Sequence, residues 1–117
     1  MQYTRLFNDD DGRARFEERE ISFTSAPFAP PAPPLDVSAA VAVRELMLIR
    51  FSAGWSDDAH PAPARQWMFV LSGRGETVAG GETRPWGPGD VFLIEDTSPP
   101  GHATRALEDV VMAVVRC

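Results

Sequence analysis

The chain has 117 residues, of which 44% are hydrophobic and 24% charged, which is typical of one folded domain and excludes an intrinsically disordered chain. Seventeen acidic and eleven basic residues give a net charge of −6, which argues against nucleic acid as a partner because the phosphate backbone is itself anionic. No apolar run approaches the ~20 residues of a membrane helix, no signal peptide is recognisable, and the lone Cys117 allows no internal disulfide, so we expect a cytoplasmic protein without a membrane partner.

Short β-like runs separated by turn residues dominate the chain. Eleven prolines and nine glycines interrupt these runs, helical periodicity is scarce, and the pattern predicts an all-β domain. Tyr3–Phe7 and Arg13–Phe23 are the first candidate strands. The segment Pro27–Pro34 has to be extended because five of its eight residues are proline. We interpret it as a strap along the sheet surface, with Phe28 and Leu35 as apolar anchors; a ligand for a proline-binding module is the alternative.

The other strands are predicted from residue 43 onward. Val43–Phe51 alternates, and because both of its faces are partly apolar we expect a central strand. Trp67–Leu71 is continuously apolar and is also expected to be central. Gly80-Gly81 is a strong signal for a two-residue hairpin turn, and further strands are expected at 91–95, 102–105 and 110–116. About eight to ten short strands in hairpin order indicate a sandwich or jelly roll around a small interior.

The two histidines, His60 and His102, are the centre of the predicted site. An even number of residues separates His60 from Gln66, so their side chains can point to one face of an extended chain. We expect His102 to approach from a neighbouring strand and to complete a polar cluster inside an apolar pocket. The predicted lining of that pocket is Trp55, Met68, Val70, Trp86, Phe92 and Ile94, with Val91 and Leu93 as the alternative to the last two.

Around His60 the sequence resembles the first motif of the cupin superfamily, G-x5-H-x-H-x3,4-E-x6-G. Gly54, His60 and Gly73 lie at the spacing of that motif. Ala62 stands where the motif has its second histidine, and Gln66 stands where it has its glutamate. The sequence therefore resembles a cupin whose first motif has lost its second histidine and its glutamate.

The second cupin motif is matched more loosely. Gly89-Asp90 opens it, and His102 closes it after a loop that is longer than the pattern; the stretch from Glu95 to His102 is also similar to a group of small single-domain cupins. The resemblance implies a cupin-type double-stranded β-helix, a jelly-roll barrel, built as a single domain over residues 1–117. Residues 43–117 would form the barrel, and residues 1–42 would add N-terminal strands and the strap. It also implies a homodimer, which would help to cover edge strands.

The resemblance further implies one divalent metal ion, Fe, Mn, Ni or Zn, bound by His60, Gln66 and His102. Since Ala62 and Gln66 take away one imidazole and one carboxylate charge, we expect a weakened site, and a pocket without metal is the alternative. The carboxylates that could replace the missing one are Asp57, Asp58, Glu95 and Asp96, of which we interpret Asp57 and Asp58 as a solvated pair.

The resulting hypothesis is a protein that binds or acts on a small organic molecule inside the barrel. With a metal it would be an oxygenase, isomerase or lyase. Without a metal, His60 or His102 would act as general base or acid, and Gln66 would orient that histidine or donate to a developing oxyanion. A non-catalytic ligand-binding or sensor protein is the alternative, and a partner-binding role for Pro27–Pro34 is the third hypothesis.

Overall fold

The computed structural model describes every residue from Met1 to Cys117 and consists of β-strands without helices, so the predicted all-β class is confirmed. None of its segments is a helix with the length and apolarity needed to cross a membrane. The strands are β1 (Gln2–Asn8), β2 (Ala14–Glu20), β3 (Thr24–Ala26), β4 (Leu35–Val37), β5 (Glu45–Phe51), β6 (Gln66–Ser72), β7 (Gly75–Ala79), β8 (Glu82–Trp86), β9 (Val91–Ile94), β10 (Ala103–Ala106) and β11 (Val110–Arg116).

Two sheets enclose the core. The larger has six strands in the order β2-β1-β9-β6-β11-β5, and the smaller has three in the order β10-β7-β8. All neighbouring strands are antiparallel except β1 and β9, which run parallel. The buried apolar cluster draws Phe92 and Met112 from the larger sheet and Ala79, Trp86 and Ala106 from the smaller. This arrangement is the predicted jelly-roll barrel.

The alternation of side chains along β6 determines which residues face the interior. Gln66 and Val70 are only 7% and 2% exposed, so the even-numbered positions point inward, as expected for a strand with period two. In the ladder between β6 and β9, Met68 lies opposite Phe92 and Gln66 lies opposite Ile94. Residues directly opposite one another share a face, and of the two alternatives for β9 the pair Phe92 and Ile94 is therefore the inward one.

The strand β5 corrects one expectation. It pairs only with β11 and is the edge of the larger sheet, whereas its two apolar faces predicted a central strand. Ile49 and Phe51 pack against the core from its inner face, while Leu46 and Leu48 on the outer face are 70% and 67% exposed. The prediction was wrong because the alternation of side chains describes the two faces of a strand, whereas an edge or central position depends on the hydrogen-bonded strands beside it.

The proline-rich segment corrects a second expectation. Strands β3 and β4 pair only with each other, with Ala26 opposite Leu35, so Pro27–Pro34 forms the end of a separate hairpin and not a strap along the sheet. Phe28 is 71% exposed and Leu35 is 46% exposed, and neither anchors the segment. The physical reason is that proline has no N–H to donate to a neighbouring strand, whereas the flanking residues have each other as partners.

Candidate functional site

A cavity of about 230 Å³ lies between the two sheets. The three predicted polar residues, His60, Gln66 and His102, all line it. Five of the six predicted apolar lining residues do so as well, namely Trp55, Met68, Trp86, Phe92 and Ile94. Val70, which we expected beside them, is part of the packed core and is not in the lining. The structure adds Ile49, Phe51, Asp57, Pro63, Thr77, Thr104 and Met112.

His60 and His102 are held together through their backbones. The N–H of each residue donates to the carbonyl of the other, at 3.0 Å in both directions. The centroids of the two imidazole rings are 5.2 Å apart. Gly101 makes this approach possible, because it has a φ of +78° and a Cβ there would lie 1.9 Å from the His60 carbonyl oxygen. Glycine alone combines that φ with the absence of a side chain.

The imidazole of His60 has an acceptor on each nitrogen. Nε2 lies 2.7 Å from Asp57 Oδ2, and Nδ1 lies 2.9 Å from the Pro61 carbonyl oxygen. A carboxylate and a carbonyl can only accept, so the two contacts together favour a proton on each nitrogen, which is the positively charged form of the ring. The Pro61 carbonyl raises the pKa of His60 above its usual value, and the Asp57 carboxylate acts in the same direction against the effect of burial.

Asp57 is a site residue that the sequence analysis named as a possible replacement ligand but interpreted as solvated. Its other carboxylate oxygen accepts from the backbone N–H of Thr104 at 2.7 Å, and its side chain is 19% exposed. The interpretation of Asp57 as half of a solvated pair was therefore wrong, whereas Asp58 is indeed exposed. The spacing of three residues between Asp57 and His60 was the only hint of this contact in the sequence. The contact forms because the loop folds back onto β10, where Asp57 binds the backbone of Thr104.

His102 is paired with a carboxylate that lies entirely inside the protein. Its Nδ1 is 2.6 Å from Asp96 Oδ2, and the Asp96 side chain is 0% exposed. The second oxygen of Asp96 has no hydrogen-bond partner. Because Nδ1 is occupied by Asp96, the nitrogen of His102 that remains without a partner in the chain is Nε2. Sequence analysis named Asp96 only as a replacement metal ligand.

Gln66 and Thr77 supply hydrogen-bond donors to the cavity. The Gln66 carbonyl oxygen accepts from Arg116 Nε at 3.3 Å, which leaves its amide nitrogen with only a weak sulfur acceptor, Met68 Sδ, at 4.0 Å. Thr77 Oγ1 accepts from Trp86 Nε1 at 2.9 Å, so its own hydroxyl proton is free to donate. The cavity thus combines apolar walls with a few convergent polar groups.

Glu95, another candidate replacement carboxylate, is engaged outside the cavity. It accepts from Arg5 Nε at 2.6 Å and from Arg65 Nε at 2.7 Å. Burial opposes ionisation of Glu95, but the hydrogen bonds from the two guanidinium groups outweigh it, and the pKa is lowered from its usual value. Glu95 and Arg65 therefore neutralise each other, and neither lines the cavity.

The donor atoms of His60, Gln66 and His102 do not fit a divalent metal ion as they are arranged. A histidine binds a metal through an unprotonated ring nitrogen, and a glutamine binds it through a lone pair of its carbonyl oxygen. Both nitrogens of His60 face oxygen acceptors, and the Gln66 oxygen uses one of its two lone pairs on a guanidinium. Of the three residues, His102 and the second lone pair of Gln66 are therefore all that remain for a metal. No group of three or more His, Cys, Asp or Glu side chains converges in the chain. The metal site inferred from the resemblance stays a prediction.

Comparisons with known proteins relate this site to a family. A 36-residue stretch, 31% of this chain, is 50% identical to the 5-aminosalicylate 1,2-dioxygenase of Comamonas sp. and covers 10% of that protein. A cupin superfamily protein from Desulfitobacterium hafniense matches with a TM-score of 0.54 and 17% identity, over 86% of this chain and 81% of its own. A cupin 2 conserved barrel domain protein from Salinispora arenicola matches with a TM-score of 0.50 and 22% identity, over 94% and 78%.

The cupin domain family model matches residues 47–116, which is more than half of the chain. The match begins inside β5 and extends to the end of β11. It therefore includes His60, Gln66, His102 and both carboxylates that hold the histidines. The chain belongs to the cupin domain family.

Proposed function

We propose that this cupin binds a small, partly apolar organic molecule with a carbonyl or carboxylate group and catalyses a proton transfer on it, as isomerases and lyases do. The observation that carries the proposal is the pairing of two histidines with different hydrogen-bond partners at one cavity. Both ring nitrogens of His60 face oxygen acceptors, whereas His102 keeps one unpartnered nitrogen. Enzymes that transfer protons place titratable groups in such contrasting environments.

The size of the cavity supports a ligand of about one ring. Its volume is about 230 Å³, and an apolar cavity of ~150 Å³ is known to hold benzene in another protein. Ile49, Phe51, Phe92 and Met112 supply much of the wall. The dioxygenase relative is named for a single-ring aromatic acid, which agrees with this size class; since the match covers a tenth of that protein, we take from it nothing about the reaction.

The polar groups of the cavity support the carbonyl or carboxylate. The Gln66 amide and the Thr77 hydroxyl can both donate to an oxygen of the ligand, and each is held by a second bond that orients it. Donors that are already oriented stabilise negative charge that develops on a carbonyl oxygen during proton removal. Much of the remaining wall is apolar, so a ligand oxygen placed beside Gln66 and Thr77 has these two donors as its partners.

Ligand binding without chemistry is the second candidate. Its support is that both N–H groups of His60 are already engaged within the chain, so His60 has no free proton to give to a ligand. In that case the cavity would serve a sensor or carrier, and the ligand would leave unchanged.

Binding is tested with salicylate and phenylpyruvate, two single-ring acids, followed by the fluorescence of Trp55 and Trp86, which line the cavity. We expect saturable binding that weakens about fivefold in Gln66→Leu, because one hydrogen bond is worth ~1 kcal/mol. Gln2→Leu, at the exposed other glutamine, is the matched control and should bind as the unchanged protein does. Absence of saturable binding of both acids would overturn the proposal, and binding without any change in the ligand would favour the sensor or carrier.

A further inference from the structure

We propose that Asp96 is a positioning residue that makes Nε2 of His102 the proton-accepting atom of the cavity. This inference rests on the proposed function, because it names the atom through which the proton transfer takes place. Asp96 itself does not line the cavity and would not touch a ligand.

The hydrogen bond between the two residues determines where the His102 proton lies. Asp96 Oδ2 is 2.6 Å from Nδ1, and the Asp96 side chain is 0% exposed. An ionised carboxylate can only accept, so Nδ1 carries the proton and Nε2 keeps the lone pair. This is the geometry by which a buried aspartate holds a catalytic histidine in the tautomer of a general base.

The backbone of the same loop fixes Asp96 relative to both histidines. The Asp96 carbonyl accepts from the N–H of Ala62 at 2.9 Å, and His102 in turn exchanges two backbone hydrogen bonds with His60. Asp96 is thus tied to each side of the cavity mouth. Such a rigid setting is what keeps a base within reach of a ligand.

The hydrogen-bonding pattern of Asp96 concentrates its effect on one atom. Its second oxygen lacks any hydrogen-bond partner, so the contact with Nδ1 of His102 is the only side-chain hydrogen bond of this carboxyl group. Asp96 therefore acts on the cavity only through the orientation and tautomer of His102.

The chemical step needs no further reagent. A C–H bond next to the ligand carbonyl breaks, its proton goes to Nε2 of His102, and the electron pair moves onto the carbonyl oxygen, which accepts hydrogen bonds from Gln66 and Thr77. His102 is then an imidazolium, protonated at both ring nitrogens, whose Nδ1–H still donates to Asp96. Return of the proton to the same carbon gives exchange with solvent, and return to another atom of the ligand gives an isomer.

The first test uses the unchanged protein without a ligand. Nitrogen-15 NMR of the imidazole rings distinguishes a protonated from an unprotonated ring nitrogen. We expect His102 to be protonated at Nδ1 and not at Nε2. Protonation at Nε2 alone would mean that Asp96 holds the proton and donates it to Nδ1, and protonation of both nitrogens would mean that Nε2 has no lone pair to accept with. Either result would overturn the inference without any variant having to fold.

The second test follows the exchange of the methylene protons of phenylpyruvate in D2O, measured as the rate above that of buffer. Asp96→Asn is expected to retain binding, to move the His102 proton from Nδ1 to Nε2, and to lower exchange by ~10²-fold or more. Asp58→Asn, at an exposed residue next to the site, is the matched control. It should leave the His102 tautomer and the exchange rate of the phenylpyruvate methylene protons unchanged.

The outcomes separate this inference from the proposed function. Bound phenylpyruvate that does not exchange, or equal exchange in Asp96→Asn, would overturn the role of Asp96 while binding stands. Absence of saturable binding would count against the proposed function, and the ligand-free NMR spectrum would still decide whether Asp96 orients His102.

Discussion

His60 and His102 face each other as an antiparallel pair whose two backbone hydrogen bonds are both 3.0 Å long. The pair is an isolated bridge outside the regular strands, yet it joins the loop before β6 to the residue before β10. The centroids of the two rings are 5.2 Å apart, and each ring contacts a different carboxylate, Asp57 for His60 and Asp96 for His102. The chemistry of the cavity depends on this contact, because it brings together segments that are distant in the chain.

Replacing Gly101 by alanine is expected to break that contact. The new Cβ would lie 1.9 Å from the His60 carbonyl oxygen, and we expect a loss of at least ~3 kcal/mol of unfolding free energy. Gly12→Ala is the matched control, because Gly12 has a similar φ of +81° and nothing within 4 Å of its Cβ position. Backbone strain alone should cost ~1–2 kcal/mol there. Equal losses in the two variants, measured by urea denaturation, would contradict the close approach.

The ion pair of His60 predicts a pH dependence of stability. Its pKa is raised in the folded protein, so its contribution is fully present below the unfolded value of ~6.5 and is lost as the pH rises through the raised folded value. The difference in unfolding free energy between the unchanged protein and His60→Gln should therefore be larger at about pH 5.5 than at about pH 9. Since the His60 side chain is 48% exposed, we expect the difference to stay below ~1 kcal/mol. A difference that grows with pH would contradict the assignment.

Metal analysis tests the donor arrangement directly. We expect the purified, untagged protein to hold far less than one equivalent of Fe, Mn, Ni or Zn after loading with each ion, because neither nitrogen of His60 has a free lone pair. His60→Ala and His102→Ala should leave that small content unchanged. Stoichiometric metal that disappears in both variants would mean that the His60 ring turns away from Asp57 to bind the ion, and it would restore the metal-dependent enzyme as the leading candidate.

The homodimer inferred from the family resemblance stays a prediction, and the exposed outer face of β5 offers a way to test it. Leu46 and Leu48 are 70% and 67% exposed on an edge strand, and such surfaces are usually covered by a partner. We expect a dimer by light scattering that becomes a monomer when both residues are changed to glutamate. Leu107→Glu, at a 52% exposed leucine outside the strands, is the control. If the variant with both leucines changed to glutamate is still a dimer, the outer face of β5 is not the dimer interface.

The proline-rich hairpin should be dispensable for folding of the barrel. Its strands pair only with each other, and Ala26 lies directly opposite Leu35, so an Asn-Gly turn can replace Pro27–Pro34 without changing the register. We expect the unfolding free energy to change by less than ~0.5 kcal/mol. A large loss would show that the segment packs on the barrel after all. Retained stability together with the loss of a bound protein partner would support the partner-binding hypothesis.

Two local patterns misled the sequence analysis for the same reason. The apolar outer face of β5 and the apolar residues Phe28 and Leu35 were both expected to be covered, because exposed apolar surface is costly. Periodicity reports which residues share a face, but it carries no information about whether another strand or segment reaches that face. Both corrections therefore concern neighbours in space, and neither concerns the local conformation of the chain.

The sequence by itself determined the all-β class and the inward face of β6, because alternation and turn residues act over a few residues. The strand pattern left a sandwich and a jelly roll open, and the resemblance to the cupin motifs implied the jelly-roll barrel. The sequence also named His60, Gln66 and His102, which all line one cavity, although residues 61–65 form a loop and not the extended strand on which the spacing argument for His60 and Gln66 relied. Only the tertiary structure decided which carboxylate each histidine meets. Asp57 and Asp96 acquire their roles through the bridge between distant loops, and hydrogen-bond partners at 2.6 and 2.7 Å depend on a register that no local pattern specifies.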